Sequence, residues 1–130
     1  MKQLLISLMF ANAALLVFGA VQHAGIALGP FREPPIHPAA IVESICAAAL
    51  ICGAAMIAVS ARGAWPAALT GNFITIAGVV LGIVALDLGL GPRTASNDLY
   101  HKIMLALAFA SLIVLFLPQG RSAVKPASLP

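Results

Sequence analysis

The chain predicts an all-α fold, an integral membrane up-down four-helix bundle, and three observations predict it. Of its 130 residues 62% are hydrophobic and only 8% charged, with a mean hydropathy of +1.06. Soluble domains run nearer half apolar and a quarter charged. Four apolar stretches fill most of the length, and each has the ~20 residues that cross a hydrocarbon core of about 30 Å. The breaks between them are short, which makes neighbouring stretches pack antiparallel. A backbone in lipid must satisfy its own hydrogen bonds, so the stretches are read as helices. One domain, residues 1–130, accounts for the chain.

The first helix is expected over 4–29. Met1-Lys2, the run Leu4 to Phe10 and Ala11-Asn12-Ala13 mimic a secretory leader, but the apolar run continues well past that point and the helix is expected to stay. Gly29-Pro30 reads as its stop. The connection from Pro30 to Pro38 holds four prolines in nine residues, so it is expected to be stiff and extended, with His37 as a loop residue.

The second helix is expected over 39–60. It is rich in alanine (Ala47, Ala48, Ala49, Ala54, Ala55) and carries both cysteines. Six residues apart, Cys46 and Cys52 sit about 9 Å apart along a helix axis and on different faces, so they cannot bridge. Both are read as small buried hydrophobes. The third helix is expected over 66–89, with Pro66 in its first turn and Gly89 to Pro92 as its stop. Gly71, Thr75, Gly78, Gly82, Ala85 and Gly89 recur at three- and four-residue steps and form a smooth ridge. Membrane helices associate through such small residues, and the ridge is read as packing inside the bundle rather than as a dimer face. The fourth helix is expected over 98–117, capped by Ser96 or Asn97, and residues 118–130 are read as a short flexible tail.

Charge sets the orientation and excludes a function. Lys2, Arg62, Arg121 and Lys125 fall on the side of the termini, against Arg32, Arg93 and Lys102 on the other. That slight bias places both termini in the cytoplasm. There is no basic run, and a lone Tyr100 and a lone Trp65 make no stacking platform, so nucleic acid is not expected as a partner. The partners expected are the lipid bilayer, with membrane-complex subunits or further copies of the chain. No nucleotide loop, Gly-x-Ser-x-Gly elbow, His-Glu-x-x-His or Cys-x-x-Cys is present, so the chain is expected to have no catalytic activity of its own.

The polar residues lie at one end. His23, His37, His101, Glu33, Glu43, Asp87 and Asp98 all fall in the half of the bundle away from the termini. His23, Glu43, Asp87 and His101 come from four different helices at comparable depth, the arrangement that builds a site in a bundle core. Ionisable groups inside a span are costly and face the interior, paired or functional. The four offer the donors of a transition-metal site for zinc, iron or copper, while His23 and His101 could instead ligate a haem axially. A carboxylate beside a histidine could also relay protons.

Blander accounts stand beside these. Asp98 suits a first helical turn, Asp87 is in reach of Arg93, and His101 and Lys102 are near enough to the boundary to be solvated. His23 and Glu43 are the two hardest to explain that way. Gln22, Asn12 and Asn72 are expected to bond neighbouring helices, and Asn12, Gly19 and His23 share one helix face.

The run Ile41-Val-Glu-Ser-Ile-Cys-Ala-Ala-Ala-Leu-Ile-Cys-Gly-Ala-Ala-Met56, followed by Arg62 and Ala67-Ala68-Leu69, resembles the DoxX-like family of small four-helix bacterial membrane proteins. The resemblance covers about a quarter of the chain, and Gln22-His23 and the Gly91 to His101 stretch depart from it. It implies a bacterial inner membrane and association with a redox or quinone-linked complex, and of the polar residues only Glu43 carries over. Three functional readings follow: a binding or accessory protein that holds a metal or small ligand, a redox subunit that binds haem or quinone, and a small oligomeric transporter.

Overall fold

The computed structural model describes residues 1–28 and 34–124. Four long helices run in order: α1 Lys2–His23, α2 His37–Ala58, α3 Ala64–Asp87 and α4 Ala95–Phe116. A short α5, Pro118–Ala123, follows. All four long helices are long and apolar enough to cross a membrane, so the chain is a multi-pass membrane protein in contact with lipid. Each helix packs on its neighbours in chain order and α4 closes against α1, the up-down bundle that the short breaks predict.

The helix ends explain why the observed spans shift from the expected ones. α1 stops at His23, six residues before Gly29, because Gly25 adopts φ +90°. The amide of Ile26 then donates to Val21 O and that of Gly25 to Gln22 O, closing the helix with a Schellman pair. The same two bonds end α2 around Ser60 (φ 52°) and α3 around Gly89 (φ 74°). Gly89 was the expected stop, and Pro66 does fall in the first turn of α3.

The starts differ more. His37 is the first residue of α2 rather than a loop residue, because Pro38 preorganises that turn. Thr94, not Ser96 or Asn97, caps α4, its hydroxyl accepting from the Asn97 amide at 3.1 Å. The expected stiffness of the proline-rich connection and the Gly29-Pro30 stop concern residues that lie partly or wholly outside the described ones, as do Arg32, Glu33 and Lys125.

Residues 118–123 are helical where a flexible tail was expected. Gly120 fits directly against the Val114 carbonyl with no room for a side chain, and Val124 is buried. Arg121 lies 5.7 Å from the Trp65 ring centroid and 5.5 Å from that of Phe116, and the two rings meet edge to face at 5.8 Å. Lys2 completes this end by donating to Ala58 O and Ser60 Oγ, both at 2.9 Å. The first is a carbonyl at the C-terminus of α2, where a cation is favoured.

The core is built from Leu5, Met9, Leu16, Leu50, Ile57 and Met104, all at most 1% exposed. Three glycines of the expected ridge, Gly71, Gly78 and Gly82, pack inside the bundle, whereas Gly89 lies beyond the end of α3 with nothing within 4 Å of where a side-chain carbon would stand. A side-chain carbon at Gly71 would stand 2.8 Å from Ala49 O, one at Gly78 would stand 2.5 Å from Cys46 Sγ, and one at Gly82 would stand 2.8 Å from His101 Nε2. Gly71 and Gly78 therefore face α2, and Gly82 faces α4. Cys46 is buried as expected, whereas Cys52 is exposed on the outer surface of α2.

Candidate functional site

Three helices meet through one carboxylate at the end of the bundle away from the termini. Glu43, one and a half turns into α2, is 7% exposed. The Nδ1 of His23, the last residue of α1, lies 2.8 Å from Glu43 Oε2. The hydroxyl of Tyr100 on α4 lies 3.1 Å from Glu43 Oε1 and 2.9 Å from Leu15 O. That hydroxyl has one proton and two acceptors within reach. Gly19 is what lets the groups converge, because a side-chain carbon there would collide with the Tyr100 oxygen and with Glu43 Oε1.

His101 is also buried, not solvated, and it is oriented differently. Its Nδ1 lies 2.9 Å from the backbone carbonyl of Asn97 one turn earlier. A carbonyl only accepts, so Nδ1 carries a proton and, in the neutral ring, Nε2 is an acceptor. The Nε2 edge faces the gap at Gly82.

Between α2, α3 and α4, with Leu16 and His23 of α1 also lining it, lies a cavity of about 260 Å³. Its walls are mainly apolar, including Val42, Val79, Ala85 and Met104, and its polar lining comes from His23, Glu43, Asn97 and His101. Leu81 and Leu90 line it and are also among the most exposed apolar residues, so its rim reaches the outer surface.

Of the four residues expected to share a metal, the structure brings His23, Glu43 and His101 to one cavity and leaves Asp87 outside. Asp87 sits at the rim, where Arg93 pairs with it and, at 3.3 Å, with Asp98. The helix-end pairing of Asp87 with Arg93 is therefore the account that holds. The hydrogen bond and charge of Asp98, and after them those of Asp87, raise the Arg93 pKa above its usual value. Among the described residues no three His, Cys, Asp or Glu side chains are placed to hold one metal ion, which removes the four-residue set of His23, Glu43, Asp87 and His101 as a ligand group.

The amides divide. Asn12 bonds across the bundle, donating to Met104 O at 3.1 Å, as expected. Asn72 instead donates to Ala68 O of its own helix, and buried Gln22 has no partner for its Nε2 among the described residues. Tyr100 is the site residue that sequence reasoning missed. Asn97, Tyr100, His101 and Met104 recur at i, i+3, i+4 and i+7, the spacing of one inward helix face, and that was the available signal. No family model, curated protein or solved structure matches the chain.

Proposed function

We propose that this is a small integral membrane binding protein, without catalysis of its own, that holds an apolar small molecule in the cavity between α2, α3 and α4. The observation that carries the reading is the cavity: mainly apolar walls with a few polar groups gathered along it, the usual build of a ligand site. Its scale supports a small guest. A dry cavity of about 150 Å³ accepts benzene, so 260 Å³ suits about two fused rings or a chain of like size. A haem, with four linked pyrroles, outgrows it. The surface-reaching rim supports entry from the lipid phase, where such molecules concentrate. The slight excess of Lys2, Arg62, Arg121 and Lys125 on the side of the termini over Arg32, Arg93 and Lys102 on the other supports termini in the cytoplasm and a cavity at the opposite face.

Naphthalene binding to the purified protein in nanodiscs tests this. Saturable binding above that of empty nanodiscs is expected, and Ala85→Phe, which fills the cavity from its wall, should abolish it while the protein keeps its thermal midpoint. Binding that does not saturate would end the proposal.

One observation favours a second reading as a redox subunit. His23, Glu43 and Tyr100 form a continuous hydrogen-bonded set beside the cavity, suited to exchanging protons with a quinone-type ring. A redox-active guest would copurify with a characteristic absorption spectrum, and a colourless preparation would leave the first reading alone.

A further inference from the structure

The polar atom that His101 presents to the cavity specifies the guest's head group. The ring is fixed by its Nδ1 proton, which is committed to Asn97 O, and among the described residues no hydrogen bond reaches Nε2. The residue is 8% exposed and lines the cavity, so Nε2 meets whatever fills that space. Gly82 keeps the space beside Nε2 open, since any side chain there would press on it. An apolar guest that fills the cavity strips Nε2 of water and leaves the acceptor without a donor, which is costly, whereas a guest that supplies the donor avoids that cost. Glu43 adds nothing that reverses the preference, because a carboxylate is an acceptor too and both its oxygens already have partners in His23 and Tyr100. Asn97 lines the cavity with an amide that can either give or take, and His23 is engaged with Glu43, so the selection falls to His101.

We infer that the cavity selects an uncharged apolar molecule bearing a hydroxyl, a phenol or alcohol of about two-ring size, which donates its O–H to His101 Nε2. Ethers, ketones and hydrocarbons of the same shape fill the space but leave Nε2 unpaired. The inference rests on the cavity being a binding site, and it adds the chemistry of the head group. It also explains why Gly82 faces the ring of His101.

The test compares 1-naphthol with its methyl ether and with naphthalene, on the full chain in nanodiscs at pH 8, each corrected for partition into empty nanodiscs. One net hydrogen bond corresponds to about five- to tenfold, so 1-naphthol should bind tighter than the ether by that factor. In His101→Phe, which keeps a ring of similar size, the ratio should fall to about one while naphthalene still binds. Because that variant can fail to fold, a ¹⁵N spectrum of the wild-type histidines gives a second reading: 1-naphthol, but not its ether, should shift the Nε2 resonance of His101. Equal binding of naphthol and ether by the wild type, or a naphthol preference that survives in His101→Phe, would overturn the head-group inference while leaving the cavity a binding site. If none of the three compounds binds saturably, the binding reading itself falls.

Discussion

Glu43 and Tyr100 approach each other through a gap that exists only because position 19 has no side chain: the Glu43 Oε1 to Tyr100 hydroxyl distance is 3.1 Å, and both atoms occupy the space a Gly19 side chain would need. Gly19→Ala therefore sets two effects of opposite sign against each other. Helix propensity alone favours alanine by about 0.5–1 kcal/mol. Overpacking a tight contact costs about 1–3 kcal/mol. The steric effect should win, giving a net loss of stability of about 1 kcal/mol or more. Tyr100→Phe removes the colliding oxygen and should recover part of that loss. Unfolding measurements on the two single variants and the double would show this as a coupling, and a stabilised Gly19→Ala would show the gap to be an empty space.

The His23–Glu43 pair should be measurably coupled yet modest. Removing one partner of a buried pair in a soluble protein costs about 3–5 kcal/mol. Interhelical hydrogen bonds in bilayers average nearer 0.6 kcal/mol and reach about 1.7. The smaller scale governs here, because each unfolded helix stays in lipid and finds other partners. Glu43→Ala is expected to cost about 1–2 kcal/mol, since it frees both His23 and Tyr100. A double-mutant cycle with His23→Ala should give a coupling of about 0.5–1.5 kcal/mol. Strict additivity would mean that the 2.8 Å approach stabilises nothing.

The fold and the depth of the polar residues were legible because both follow from quantities that a sequence carries directly. Apolar length dictates a span, and a count of residues along a helix gives depth, so His23, Glu43 and His101 were expected at one end and are found there. Rotation was less legible. Asp87 shares that depth but points to Arg93, and nothing in its position along α3 distinguishes an inward from a rim-facing direction. Tyr100 was passed over because a phenol near a helix end is ordinary in a membrane protein. Its role depends on Gly19, 81 positions away in the chain and on another helix. The early end of α1 was written in Gly25, but a glycine inside an apolar run reads equally well as a packing position, and only the bonds from Gly25 and Ile26 decide it.

Gly71 and Gly89 share a sequence pattern but not a cause. At Gly71 the neighbour is the backbone carbonyl of Ala49, 2.8 Å from where a side-chain carbon would stand, so α2 and α3 must separate to admit it. Gly71→Ala should cost about 2 kcal/mol through overpacking, and no substitution at position 49 can relieve it, because the obstacle is main chain. At Gly89 nothing lies within 4 Å and the difficulty is φ +74°. Gly89→Ala should cost about 1 kcal/mol from the left-handed conformation alone. Gly89→Asn should recover part of that, since asparagine tolerates the conformation. If Gly71→Ala proved as mild as Gly89→Asn, the close approach of α2 and α3 would be wrong.

Asp87 offers the sharpest separation between a shared metal and the rim pairing found here. Its carboxylate is half exposed and faces Arg93, which has Asp98 as a second partner. Exposed pairs of this kind contribute little, and salt screens them. Asp87→Asn should therefore leave the thermal midpoint unchanged within error, and Asp98 should keep Arg93 paired. It should also leave naphthalene and 1-naphthol binding untouched, because Asp87 does not line the cavity. Glu43→Gln behaves differently: it alters a group that lines the cavity and holds His23 and Tyr100, so guest affinity should change with it. Were Asp87→Asn instead to remove a bound metal or to weaken binding as strongly as Glu43→Gln, Asp87 would have to turn inward in the membrane, and the cavity would need to be redrawn around a four-residue site.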